Sequence, residues 1–131
     1  MDLKDKAVDI KGKKYVLVSD RVIYFNETYK DNGSITTELV SAPEAKHIII
    51  KATVSPDGKR LFTGYSQAVI GDGYINKTAA LENAETSAVG RALAMMGIGV
   101  IDSIASVDEI KKATVKMPHN VDLPEEDSFQ I

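Results

Sequence analysis

Scattered cations and two tyrosines are the residues with the clearest chemical potential in this sequence. Single-stranded nucleic acid is held by basic side chains that follow the phosphates and by aromatic faces on which bases stack, each stack worth about 1–3 kcal/mol. The residues that fit this pattern are Lys13, Lys14, Lys59, Arg60, Tyr65, Tyr74, Lys77 and Arg91. We interpret them as candidate DNA-binding residues. The alternative is that they are solvated turn residues and ordinary core tyrosines.

Catalytic and metal-binding patterns are missing from the sequence. There is no cysteine, which excludes thiolate ligands and cysteine nucleophiles. The two histidines, His47 and His119, are far apart and lack the neighbouring ligands that metal sites have at helical spacing. We therefore predict no catalytic residue, no cofactor and no metal ion. A metal-dependent nuclease that uses Asp72 and Asp102 is the enzymatic alternative, although the spacing of these acids matches no metal motif.

The charge is unevenly distributed along the chain. The net charge of the 131 residues is −3. Residues 119–131 contain four acids and no lysine or arginine, so residues 1–118 carry 16 basic against 15 acidic side chains. Acidic tails often serve interactions, and a body near neutrality does not by itself argue for nucleic acid. We predict one nucleic-acid-binding domain over residues 1–118 and a disordered acidic tail over residues 119–131.

Neither a membrane span nor a secretion signal is visible in the sequence. No apolar run approaches the roughly 18 residues that a span needs. The N-terminus lacks the apolar core of a signal peptide. We therefore expect an intracellular, cytoplasmic protein with no membrane partner.

The longest regular pattern is a helix that is rich in small residues. Asn76 or Thr78 can cap its start, and Gly97 can end it, so we predict a helix over residues 78–97. Because this helix is short of bulk, we expect it to approach a sheet or a neighbouring backbone closely. The predicted buried face comprises Leu81, Ala84, Ala88, Val89, Ala92, Met95 and Met96, and the opposite face comprises Asn83, Thr86, Ser87 and Gly90.

Two charged residues lie at the apolar face of this helix. Glu85 falls inside the apolar arc, where a carboxylate is costly unless it is paired or hydrogen-bonded. We expect the helix dipole to favour Glu85 and a basic side chain to pair with it, with a functional role as the alternative. Arg91 lies at the margin of the arc and suits phosphate geometry, with a structural ion pair as the alternative.

The chain before this helix is predicted to form a strand, a helix and three further strands. A short strand over residues 15–18 precedes a helix that begins at Ser19 or Asp20, unless residues 21–25 continue as strand. The three later strands are predicted over residues 34–41, 46–54 and 60–70, with turns between them.

After the long helix, Ser106 and Glu109 have the spacing of a capping box, and Pro118 ends the short helix that it starts. The whole pattern predicts an α+β fold. Its antiparallel β-meander, of three to four strands, would pack against a long central α-helix.

The stretch around the long helix resembles a known family. Residues 76–78 (NKT), 82–93 (ENAETSAVGRAL) and 97–99 (GIG) are similar to a signature of small bacteriophage-encoded proteins of DNA recombination and replication. More distantly, the order strand–strand–strand–helix resembles the Rad52-type single-strand annealing fold. Residues 21–27 (RVIYFNE) resemble the helix before the meander of that fold.

This resemblance implies a Rad52-like β-β-β-α core and a non-enzymatic, homo-oligomeric protein that binds single-stranded DNA and anneals or protects strands. It also implies a DNA groove between the meander and the following helix, lined by basic residues from both. The matching positions in this sequence are Arg60, Lys77 and Arg91.

The C-terminal tail has a second resemblance. Clustered acids that include Asp127 are followed by Phe129 and Ile131. This arrangement is similar to the acidic, apolar-tipped C-termini of bacterial single-stranded-DNA-binding proteins, and it implies docking on replication or recombination proteins. The alternative is a frayed terminus without a function.

Two other readings fit the sequence. An OB barrel also binds single strands, and it would need five strands with no long helix after the third. A protein-interaction adaptor would use the tail and the small-residue helix and would not bind DNA.

Overall fold

The computed structural model describes residues 3–71 and 76–110, which form an α+β fold with antiparallel strands in two small sheets. The predicted α+β class is confirmed at this level. Two 3₁₀ turns, Leu3–Lys6 and Lys30–Asn32, and a helical turn at residues 107–110 accompany the main elements. The helices are α1 (Val18–Tyr29) and α2 (Lys77–Met95), and the strands are β1 (Val8–Ile10), β2 (Lys13–Tyr15), β3 (Ser34–Leu39), β4 (His47–Ser55) and β5 (Phe62–Val69).

The larger sheet is an antiparallel meander of β3, β4 and β5 with β4 in the centre. Alternate residues of β4, namely Ile48, Ile50, Ala52 and Val54, are buried in one core with residues of both helices. The residues between them point to the other side of the sheet, because successive side chains of a strand alternate. We call these two sides the covered face and the open face.

Gly64 lets α2 approach the covered face at backbone distance. A β-carbon placed on Gly64 would lie 2.5 Å from the carbonyl oxygen of Ala88 and 2.5 Å from the amide nitrogen of Ala92. Ala84, Ala88 and Ala92 are fully buried. The small residues of α2 therefore bring the helix directly onto the sheet and leave no room between them at this point.

The prediction of an opposite, polar face on α2 is wrong in part. Ser87 and Gly90 are buried because α1 packs on this side, with the Val18 side chain over Gly90. Leu81 and Met95, predicted on the buried face, are exposed. Because two neighbours cover α2, a single apolar stripe does not describe its burial.

Local signals set both ends of α2. The Asn76 side chain accepts the backbone N–H of Ala79 at 2.8 Å, which decides between the two predicted caps. After the last turn, Gly97 has a φ of 91°, and the N–H of Ile98 donates to the carbonyl of Leu93 at 3.1 Å. This glycine-dependent closure ends the helix.

The start of α1 depends on a distant residue. The strand predicted over residues 15–18 is wrong, since β2 ends at Tyr15 and α1 begins at Val18. The backbone N–H of Val18 donates to Asp108 Oδ2 at 2.9 Å, across 90 residues of sequence. A carboxylate from outside the helix thus satisfies one of its first N–H groups, which no local pattern indicates.

The smaller sheet is a hairpin of β1 and β2 that the sequence analysis does not predict. Its turn residues, Lys11 and Gly12, both have positive φ, at 52° and 84°. Two-residue hairpin turns of this kind match the twist of the strands that they join. The Asp9 side chain accepts the N–H of Gly12 at 3.0 Å and orders the turn.

Arg21 is fully buried and holds the segment after α2 against the helices. Desolvation lowers the pKa of Arg21, and the negative charges of Glu109 and Asp108 oppose that shift. The guanidinium is therefore a structural group in the interior. It donates to the carbonyl oxygens of Gly90 (2.9 Å), Ile104 (3.2 Å), Gly99 (3.3 Å) and Ala105 (3.4 Å).

The predicted capping box is confirmed. The N–H of Ser106 donates to Glu109 Oε2 at 3.1 Å, and the N–H of Glu109 donates to Ser106 Oγ at 3.3 Å. The predicted end of this helix at Pro118 lies outside the described residues, as does the predicted tail over residues 119–131.

Candidate nucleic-acid interface

The hairpin tip between β4 and β5 carries two of the predicted contacts, Lys59 and Arg60, on an ordered turn. Asp57 Oδ1 accepts both of their backbone N–H groups at 2.9 Å, and Ser55 Oγ accepts the N–H of Gly58 at 2.8 Å. The two hydrogen bonds that Asp57 accepts, from the N–H groups of Arg60 and Lys59, lower its pKa. Both cations are exposed, and Arg60 also pairs with Asp57 at 3.4 Å. The tip therefore presents positive charge from a fixed backbone.

The open face has a cation and an aromatic ring side by side at its middle. Lys51 of β4 is paired in register with Tyr65 of β5, and its Nζ lies 6.0 Å from the ring centroid. Tyr65 is 52% exposed, so its ring remains accessible to a flat ligand. Thr53 and Thr63 pair in the next outward row, towards the tip. This face combines positive charge, a stacking surface and hydroxyl groups.

Two further exposed cations, Lys46 before β4 and Lys77 at the start of α2, form what we call the loop end. The carbonyl of Lys46 accepts the N–H of Ile70 at 2.8 Å, which places the loop before β4 beside the end of β5. Asn76 caps α2 immediately before Lys77. The positive end of the α2 dipole adds to the charge of these lysines.

Arg91 is placed in an ion pair. Its Nη1 lies 3.8 Å from Glu109 Oε1, and its side chain is 26% exposed. Its β-carbon also lies against Gly64 of β5. These contacts match the structural alternative from the sequence analysis, in which an acid neutralises the guanidinium.

Lys13 and Lys14 belong to the small β1–β2 sheet and not to the meander. Lys14 pairs with Asp9 at 3.1 Å, and its backbone N–H donates to Asp102 Oδ2 at 2.7 Å. The register of the strands shows no pairing between this hairpin and the larger sheet among the described residues.

The prediction of a groove between the meander and the long helix is wrong. Where that groove was expected, Ala88 and Ala92 contact the sheet at Gly64 and are fully buried. Lys59 and Arg60 lie at the tip, whereas Lys77 follows the opposite end of β5. The predicted cations are thus spread over several surfaces. Close packing at Gly64 leaves no space for a groove between the helix and the sheet.

Several predicted site residues lie outside the described residues. Tyr74 is one of them, together with the proposed partner-binding residues Asp127, Phe129 and Ile131. Their roles stay predictions.

Glu85 is exposed and, among residues 3–71 and 76–110, pairs with no basic side chain, contrary to expectation. Its Oε2 accepts a hydrogen bond from Thr37 Oγ1 at 2.7 Å. Thr37 belongs to the edge strand β3, so α2 reaches across the sheet to this residue. A hydroxyl partner and solvent remove the desolvation cost that a buried carboxylate would have.

One of the two acids that the nuclease alternative would need is engaged in a hydrogen bond. Asp102 Oδ2 accepts the backbone N–H of Lys14 at 2.7 Å. Asp72 lies outside the described residues. No group of three potential metal-binding side chains occurs within residues 3–71 and 76–110.

Neither described helix has the length and apolar character needed to cross a membrane.

The predicted site residues include neither Lys46 nor Lys51, although Lys51 is one of the cations that the sequence places around the predicted meander. A usable signal existed for Lys51, since strict alternation in residues 48–54 puts it opposite to the buried Ile50 and Ala52. The position of Lys46 beside the end of β5 depends on the pairing register and has no signal of its own in the sequence.

Two helices on one side of a three-stranded antiparallel meander, in the order helix–strand–strand–strand–helix, define the class of this domain. A family model described as Slr1353 N-terminal dsRNA-binding domain-like matches residues 24–96, more than half of the chain. The chain belongs to this family, a nucleic-acid-binding domain-like family. No curated protein and no solved structure matches the chain.

This family assignment corrects the resemblance drawn from the sequence. The similarity to phage single-stranded DNA-binding and Rad52-type proteins relied on short segments around α2 and on element order. The matched family covers α2 together with the sheet and most of α1, residues 24–96. Three strands followed by a helix are common to many α+β folds, so element order alone could not separate them.

Proposed function

We propose that this chain is a nucleic-acid-binding domain whose preferred target is double-stranded RNA. The observation that carries the proposal is the coincidence between the family match and the fold. The matched residues, 24–96, run from within α1 to the end of α2 and contain the whole three-stranded sheet. The β1–β2 hairpin lies outside them.

Recognition of an RNA duplex requires spaced contacts and not a deep pocket. An A-form helix is read mostly by its shape, through contacts to 2′-hydroxyls and phosphates across the shallow minor groove. The loop end offers such contacts, since Lys46 and Lys77 are both exposed and Lys77 is the first residue of α2. A helix start attracts phosphate because its N–H groups and dipole present positive charge.

The low charge of the domain sets the expected salt dependence. Each neutralised phosphate releases counterion, so the slope of log K against log salt counts the contacts, at about 0.9 per phosphate on duplex DNA. With Lys46 and Lys77 as the main contacts, we expect a shallow dependence, equivalent to about two phosphates. We also propose that the chain acts by binding alone, without cleaving its target.

A direct test compares one sequence in three forms: an RNA duplex, a DNA duplex and single-stranded RNA, each labelled and titrated with the full chain by fluorescence anisotropy. We expect the RNA duplex to bind most tightly and to be recovered intact, with or without added Mg²⁺. Lys77→Ala and Lys46→Ala should each weaken duplex binding. Lys6→Ala, an equal change of charge on an exposed residue outside the matched stretch, is the control.

Equal affinity for all three forms would contradict the preference for duplex RNA. No binding to any of them would contradict nucleic-acid binding altogether and would favour the protein-interaction adaptor. The mass of the protein in solution, measured alongside, tests the predicted self-association.

A further inference from the structure

We propose that the open face of the β3–β4–β5 sheet is a second binding surface, which shares only Lys46 with the loop end, and that it holds a short single-stranded nucleic-acid segment with Tyr65 as the stacking platform. The inference depends on the proposed function for the class of ligand alone. The surface itself is argued from residues on the other side of the sheet from the helices.

The open face is free of described structure. Both helices share the core with the covered face, through Ile48, Ile50 and Ala52 of β4. On the open side, Tyr65 and Gln67 of β5 are exposed. Within residues 3–71 and 76–110, nothing packs over these side chains, so a ligand reaches them without any rearrangement.

Tyr65 is poorly explained as a packing residue. Tyr65 is 52% exposed, and the Nζ of its cross-strand neighbour Lys51 lies 6.0 Å from the centroid of its ring. A cross-strand pair of this kind contributes about 0.2–1 kcal/mol to the sheet, which is small for an aromatic residue. A base stacked on the same ring is worth several times more, and the Lys51 ammonium beside it can meet the phosphate of that nucleotide.

The charges at the two ends of the open face favour a strand that runs along β4 and β5. Lys59 lies beyond one end of β5, and Lys46, which also belongs to the loop end, lies beside the other. Eight residues of β5 span about 27 Å at about 3.4 Å per residue, enough for the smallest site sizes of single-strand-binding folds, about 4 nucleotides.

Uncharged side chains fill the rows on either side of the Lys51–Tyr65 pair. Thr53 pairs with Thr63 on one side, and Gln67 pairs with the apolar Ile49 on the other. Glu38 of β3 pairs with Lys51 from the far side and places negative charge at that edge. The charge distribution therefore directs a polyanion over β4 and β5 and away from β3.

The test uses the full chain and a labelled single-stranded oligonucleotide, in RNA and DNA versions of one sequence, together with a blunt RNA duplex. Tyr65→Ala should weaken single-strand binding by about 5- to 150-fold, the effect of one lost stack. Tyr65→Phe keeps the ring and should bind like the unmodified chain. Because stacking and phosphate contact do not distinguish the sugars, we expect similar losses for RNA and DNA.

The proposals for the two surfaces can be contradicted independently of each other. Tyr65→Ala should leave duplex affinity unchanged, and Lys77→Ala should lower duplex affinity while sparing the single strand. The open-face proposal is overturned if the unmodified chain ignores single strands, or if a folded Tyr65→Ala variant binds them as well as the unmodified chain. It is also overturned if NMR shift changes on adding the oligonucleotide avoid Thr53, Thr63 and Tyr65.

Discussion

The two faces of the meander are made from alternate residues of the same strands, yet they serve opposite purposes. On the covered face, Ala52 and Gly64 are small, so the backbone of α2 comes within contact distance. The residues next to them in the two strands, Lys51 and Tyr65, carry a charge and an aromatic ring on the open face. Helix packing thus occupies the covered face, and the charged and aromatic groups that suit binding lie on the open face.

The cations of the molecule divide in the same way. Arg21 is fully buried among four carbonyl oxygens, whereas Lys59 and Lys77 are exposed. Both terminal nitrogens of this guanidinium donate to carbonyl groups, and burial keeps the group away from any phosphate in solution. Residue type alone therefore does not separate a structural cation from one that is accessible to a ligand, whereas burial does.

The largest expected effect comes from removing the buried cation. Arg21→Met should lower the free energy of unfolding by at least about 3 kcal/mol, because several buried carbonyls lose a charged partner at once. Arg60→Met, at an exposed position, should change it by no more than about 0.5 kcal/mol. Urea denaturation of the two variants measures the contrast. A loss below about 1 kcal/mol for Arg21→Met would show that the guanidinium does not hold the interior together.

A second substitution tests the difference between the faces directly. Gly64→Val should destabilise the protein by about 1–3 kcal/mol, because its side chain would meet the backbone of α2. Thr63→Val is the matched control on the open face and should cost no more than about 0.5 kcal/mol. Thermal unfolding of both variants provides the measurement. Similar costs for the two would mean that the faces do not differ in packing as described.

The long-range cap of α1 should have a smaller effect. Asp108→Ala removes the acceptor for the N–H of Val18, and the loss of such a cap typically costs about 1 kcal/mol. Asp31→Ala, at an exposed position after α1, is the control. If hydrogen exchange at the first turn of α1 is as slow in Asp108→Ala as in the unmodified chain, the carboxylate is not the cap.

The smallest expected effect is at the exposed hairpin tip and depends on pH. Backbone N–H groups of Arg60 and Lys59 hold the pKa of Asp57 below its ordinary value of 3.8. Because the pKa is lower in the folded state, the carboxylate stabilises the fold above the ordinary value, and this contribution is lost as the pH falls through the lowered pKa.

Asp57→Asn should therefore differ from the unmodified chain in stability at neutral pH and converge with it in strong acid. NMR titration of Asp57 measures the shift. A pKa for Asp57 at or above its ordinary value of 3.8 would contradict the hydrogen bonds at the tip.

Much of the fold could be predicted because its signals are local. The cap at Asn76, the glycine at 97 and the capping box at Ser106 and Glu109 each act within a few residues. The alternation of β4 is equally local and, read strictly, separates Ile50 from Lys51. The candidate site could be predicted in part for the same reason, since Tyr65, Lys59 and Arg60 follow recognisable strand and turn patterns.

The remainder could not be predicted because it depends on residues far apart in the chain. The carbonyls around Arg21 lie 69 to 84 positions away from it in sequence. The free energy of burying a guanidinium is set by those partners, so the same residue would be a surface cation without them.

The sequence by itself determined the capping residues at the two ends of α2, the capping box at Ser106 and Glu109, and which residues of β4 share a face, because short-range hydrogen bonds and side-chain alternation set those features. Tertiary structure alone decided that Arg21 is buried and that Arg91 pairs with Glu109, while Lys51 and Tyr65 meet on an accessible surface. The physical reason is that the worth of a charge depends on its surroundings, and segments distant in the chain supply those surroundings only on folding.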